Sequence, residues 1–136
     1  MITKSYLTNL VYKVNGAAIE VHKAIGPGLL ESVYHQCLKY ELFKRNIHFV
    51  SEMKIPIHYK EINFETDLRC DLLVEGSLIV ELKSVNKIEP IFEAKFLSYM
   101  KLMNIAEGLM INFNVLNIYR DGQKTYVNEL YRDLPA

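Results

Sequence analysis

Residues 69–83 read Arg69-Cys70-Asp71-Leu72-Leu73-Val74-Glu75-Gly76-Ser77-Leu78-Ile79-Val80-Glu81-Leu82-Lys83. Two alternating runs flank a polar triplet with a central glycine, the pattern of two strands joined by a tight loop. With Glu75 to Ser77 as a three-residue loop, Val74 pairs with Leu78. Counting back along both strands sets Leu72 opposite Val80, Asp71 opposite Glu81 and Cys70 opposite Leu82. Cys70, Leu72, Val74, Leu78, Val80 and Leu82 then share an apolar face. Arg69, Asp71, Ile79, Glu81 and Lys83 share the other. A loop one residue shorter or longer would set apolar side chains against charged ones, so the alternation itself selects this register.

Two carboxylates directly opposite each other on a sheet lie roughly 5 Å apart at Cβ, and like charges so placed are destabilising. A hard divalent cation, Mg²⁺ or Mn²⁺, offsets the repulsion because it favours carboxylate oxygen. Such an ion lowers the pKa of a water that can then attack a phosphodiester. Lys83, two residues past Glu81 on the same face, is placed to orient that water or to stabilise charge growing on the phosphate. Asp71, Glu81 and Lys83 are therefore the candidate catalytic residues. The competing reading is a solvated strand face on which Arg69 and Lys83 simply neutralise the two acids.

Upstream, Leu10, Val14, Ala17, Val21 and Ala24 recur at helical spacing within residues 7–24. Gly26-Pro27-Gly28 stops that helix. A second helix is expected from about Leu30 to Arg45, with Leu30, Val33, Cys37, Leu38 and Leu42 along one side. Alternation predicts strands over 49–59, where Pro56 suggests an edge or bulge, and over 64–74, where Phe64 joins the apolar face. Downstream of the third strand, Pro90 suits the first turn of a helix reaching about Asn104. Gly108 to Phe113 is an apolar run suited to a buried strand, and Asp121-Gly122 suggests a type I′ turn between Ile118-Tyr119 and Tyr126-Val127. The expected order is α-α-β-β-β-α-β with a C-terminal β-hairpin, an α/β layer arrangement on a mixed sheet.

Composition sets outer bounds. At 136 residues, half of them hydrophobic and 24% charged, the chain reads as a single domain spanning 1–136 with a core of its own. No apolar run approaches the roughly 20 residues that cross a bilayer, and Met1 to Leu10 has no apolar signal core. Cys37 and Cys70 lack metal-ligand spacing, so reduced thiols and a cytoplasmic location are expected. Sixteen basic and sixteen acidic residues argue against a general nucleic-acid coat protein, but not against an enzyme with a local basic strip.

Asp71, nine intervening residues and Glu81-Leu82-Lys83 resemble the D…ExK signature of the PD-(D/E)XK nuclease superfamily. Gly28-Leu29-Leu30-Glu31-Ser32-Val33-Tyr34 is similar to the motif that names the bacterial GxxExxY family within it. The similarity extends through Val21-His22-Lys23, residues 69–84 and Gly108 to Phe113. The resemblance implies a restriction-endonuclease-like core and a Mg²⁺- or Mn²⁺-dependent nuclease. Asp71 and Glu81 would bind metal, with the Leu82 carbonyl as a third ligand, and Lys83 would be the catalytic lysine. Glu31 matches an acid that many members place near the metal; the helix dipole alone also favours a glutamate there. Tyr34, one turn later, suits packing with its hydroxyl at a polar edge. His22 could face the site or serve the structure. Related sequences carry Gln four residues before Tyr on the next helix, whereas here the pair is Lys95 and Tyr99. Lys95, Tyr99 and Arg69 are the candidate substrate contacts, and nucleic acid, DNA before RNA, is the expected partner.

Two rival readings stand beside this one. The fold could serve a binding or regulatory module without catalysis. The chain could also pair as a homodimer through its helical face, with Tyr6, Tyr12 and Phe43 as contacts.

Overall fold

In extended backbone just ahead of the first helix, Thr3 turns its hydroxyl oxygen to the Tyr6 N–H at 3.0 Å, so the helix begins capped. The computed structural model describes residues 1–136. Helix α1 (Lys4–Ile25) buries Leu7, Leu10, Val14, Ala17, Ala18 and Val21, the stripe that spacing by three and four predicts, except that Ala24, expected on it, is exposed near the helix end. It ends at Gly26, whose N–H bonds the His22 carbonyl at 2.8 Å. Its φ of 76° carries no Cβ penalty in glycine.

Helix α2 (Glu31–Lys44) departs from expectation. It buries Tyr34, Leu38 and Leu42, whereas Leu30 and Val33 are exposed and Cys37 is only half-buried. Tyr34 decides which side turns inward. Its ring stacks on Phe113 at 4.3 Å and 8°. Its hydroxyl donates to the Gly26 carbonyl at 2.6 Å and accepts from the Leu29 N–H at 3.1 Å. A tyrosine so satisfied can be buried completely.

The five-stranded sheet runs in the order β1 (Phe49–Lys54), β4 (Arg69–Val74), β5 (Leu78–Lys83), β6 (Glu107–Asn112), β7 (Gln123–Val127). Only β5 and β6 are parallel, joined through α3 (Pro90–Leu102), so the sheet is mixed as expected. The β4–β5 register is the predicted one, Leu72 with Val80 and Val74 with Leu78. α1 and α2 cover one face through Leu72, Val74, Val80, Leu82, Leu109, Ile111 and Phe113. α3 covers the other through Phe96, Tyr99 and Met100 on Ile79 and Met110. Covered on both faces, β6 is buried throughout, as its unbroken apolar run suggests. At Gly108 a Cβ would lie 2.6 Å from the Phe96 ring, so the missing side chain is what lets α3 settle onto β6.

Three local expectations are corrected. The strands expected over 49–59 and 64–74 are each divided. Pro56, which has no N–H for a ladder, separates β1 from β2 (Ile57–Tyr59), and β2 pairs only with β3 (Ile62–Phe64) in a separate hairpin. Cys70 does not share the Leu72–Leu82 face; it packs with Ile55, Ile79 and Phe96 under α3. Opposite Asp71 in this stretch, Glu52 of β1 takes a φ of 54°, a left-handed value that twists the pairing away from regular alternation. Finally, the C-terminal β-hairpin is absent. Ile118–Asp121 forms a short helix, α4, capped by the Asn117 side chain accepting from the Arg120 N–H at 3.0 Å. Gly122 has φ −107°, whereas a type I′ turn needs positive φ at both central residues. β7 therefore returns along β6, antiparallel, and α5 (Glu129–Arg132) ends the chain's regular structure.

Candidate active site

The β4–β5 ladder stops at Leu72 and Val80. Beyond that point the Leu82 N–H is taken by a side chain, Asp71 Oδ2, at 2.8 Å. Asp71 thus accepts a backbone donor that a regular strand partner would otherwise have used, and this bond holds its carboxylate against β5. Asp71 lies near enough for its charge to act on Glu81, although the two are not a ladder pair.

Glu81 is 8% exposed and its Oε1 is buried with no hydrogen-bond partner. Burial, then the Asp71 charge, push its pKa up to about 7 against the opposing pull of Lys83 and Lys95. The solvated-face reading therefore fails for Glu81. Lys83 Nζ stands 3.6 Å from Glu81 Oε2, its side chain only 13% exposed. Its ammonium lies over the Phe92 ring at 4.6 Å, an attraction strengthened where water is excluded. Cys70, below the pair, is pushed up to about 11 by burial and by the charges of Glu81 and Asp71, so the thiol stays protonated.

The supporting loops are pinned from below. Asn112 accepts from the Val85 N–H at 3.1 Å and donates to the Val85 carbonyl at 2.9 Å, fixing the chain just after Lys83. Ser84 donates to the Leu29 carbonyl at 2.6 Å, which draws the start of α2 to the exit of β5.

The remaining expected residues divide. Lys95 is exposed on α3, near enough to influence Glu81, with its ammonium over the Tyr99 ring at 5.4 Å. Tyr99 is buried in the core, so it supports the helix rather than presenting a free surface. Arg69 is exposed and makes no ion pair, so it does not neutralise Asp71. Glu31 is exposed on the first turn of α2. No group of three or more His, Cys, Asp or Glu side chains is placed to share one ion. His22 is buried against the Val115 carbonyl at 2.8 Å, a packing role. Phe92 under Lys83 was not anticipated; its spacing of three from Lys95 on an amphipathic helix was the available signal.

The sequence model of the PD-(D/E)XK nuclease superfamily matches residues 8–125, from early α1 into β7. The chain belongs to that superfamily. The matched span contains the acid pair, Lys83 and the whole of α3, and PD-(D/E)XK nucleases typically work with divalent metals. No curated protein and no solved structure matches the chain. No helix is long and apolar enough to cross a membrane.

Proposed function

We propose that this PD-(D/E)XK protein is a Mg²⁺- or Mn²⁺-dependent nuclease of the GxxExxY type that hydrolyses phosphodiester bonds in nucleic acid, DNA before RNA. The single observation that carries the reading is the Glu81 carboxylate, buried beside Asp71 with one oxygen unpartnered. Two acids in that position raise each other's cost of ionisation, and a bound cation removes it. Asp71 and Glu81 would hold the metal. The Leu82 carbonyl, on the residue whose N–H bonds Asp71, would offer a further oxygen. The bound cation would supply water activation and charge neutralisation at the phosphate.

The chain's own groups do the rest. Lys83, held between Glu81 and the Phe92 ring, directs its ammonium at the attacking water or at a phosphate oxygen. Asp71 is kept aimed by the Leu82 N–H. Lys95, exposed one turn before Tyr99, holds a flanking phosphate and makes binding sensitive to salt. The acting unit is a single 1–136 domain in the cytoplasm.

The test is cleavage of single- and double-stranded DNA and RNA with Mg²⁺, with Mn²⁺ and with chelator, comparing native protein with Glu81→Ala and Asp71→Asn. Metal-dependent cutting lost in both variants is the expected result. Native protein that cuts nothing under any metal overturns the nuclease reading in favour of a binding module on the same fold, the reading that Lys95 in place of Gln also favours.

A further inference from the structure

A cavity of about 640 Å³ contains none of Asp71, Glu81 or Lys83. It lies between α1, the end of α2 and the β4–β5 turn, where Glu75 lines it at the opposite end of β5 from Lys83. We propose that this cleft binds a free mononucleotide, a function separate from the acid pair and independent of the nuclease reading.

Three features point to that ligand class. Tyr6, Tyr12 and Tyr119 line the cleft and are 39%, 77% and 75% exposed; three solvent-accessible aromatic side chains along it offer stacking surface to a planar base. Lys13 and Arg45 supply two cations for a phosphate. The Arg45 ion pair with Glu41, at 3.2 Å, uses Nε, which leaves the terminal nitrogens without a protein acceptor. Gly16 makes room for them, since a Cβ there would lie 3.3 Å from Arg45 Nη1.

The third feature is Asn15, whose Oδ1 is buried with no partner. A buried acceptor left unpaired is costly, and the N–H edge of a nucleobase is a donor of the right kind. Glu75 Oε1 accepts from the His48 N–H at 2.9 Å, which fixes that carboxylate without removing its charge, so the phosphate is placed against Lys13 and Arg45. The volume suits a ligand of nucleotide size.

The experiment uses the full chain in excess chelator, so that the metal-dependent chemistry of the acid pair is silent. Binding of the four ribonucleoside 5′-monophosphates, the four nucleosides and inorganic phosphate is measured by calorimetry, with amide NMR shifts to place the site. At least one monophosphate is expected to bind, with its nucleoside and inorganic phosphate each about tenfold weaker or more. Its shifts should fall on α1, Arg45 and Tyr119. Arg45→Ala and Tyr119→Ala, both surface substitutions that leave the core intact, should each weaken it about tenfold. In chelator, Glu81→Gln should bind the monophosphate with the native affinity, whatever it does to metal binding and stability. The proposal is overturned if no monophosphate binds at about 5 mM, if phosphate alone binds as tightly, if either cleft variant binds like native protein, or if Glu81→Gln abolishes binding.

Discussion

Glu81→Gln keeps the size of the side chain and removes its charge, so it isolates what ionising Glu81 costs the folded protein. The folded carboxyl holds its proton up to about pH 7, against an ordinary value of 4.5. A pKa raised on folding contributes stability that is complete below the unfolded value. That contribution is lost as pH climbs from about 4.5 to about 7. At roughly 1.4 kcal/mol per pH unit the total is on the order of 3 kcal/mol. The glutamine variant does not titrate, so relative to native protein it should gain about that much between pH 4.5 and 8 in chelator. For a chain of this size the gain is roughly 10 °C in melting temperature. Urea unfolding of both proteins at pH 4.5, 6 and 8 measures the difference directly. Adding Mg²⁺ at pH 8 should then stabilise native protein by about 2.7 kcal/mol at a hundred times its dissociation constant. The variant should be barely affected. A native-to-variant difference that ignores pH would refute the reasoning, because it would mean that Glu81 ionises freely in the fold.

Three further outcomes follow from the same coordinates. Lys83→Ala should slow single-turnover cleavage by about 10²–10⁴-fold while Mg²⁺-dependent stabilisation persists, and equal rates would leave the lysine without a role. Tyr34→Phe removes a hydroxyl bonded to Gly26 and Leu29 and should cost about 0.5–1.5 kcal/mol in urea unfolding, the net worth of the lost bonds where water can reach the half-buried Gly26 and exposed Leu29. Gly108→Ala places a Cβ 2.6 Å from Phe96 and should cost about 1–3 kcal/mol, whereas an unchanged melting temperature would show that α3 can move away from β6 freely.

Much of this protein was written in local periodicity. The alternation from Cys70 to Lys83 admits one pairing of Leu72 with Val80, and the structure has it, because a one-residue slip would carry Leu72 and Val80 to the charged face. The buried stripe of α1 and the buried run of β6 were legible for the same reason: each is a repeat that only one geometry can satisfy. What periodicity could not reach depended on partners distant in sequence. Tyr34 outranks Val33 as a core residue only because Phe113, Gly26 and Leu29 come to meet it. Asp121-Gly122 closes a helix and not a hairpin because Asn117 caps Ile118–Asp121 and β6 is there to receive β7. The acid pair was visible in the string, but its electrostatics were not. Strand alternation placed Glu81 on a polar face, and only α3 packing over that face, with Phe92 beneath Lys83, took its carboxylate out of water and raised its pKa.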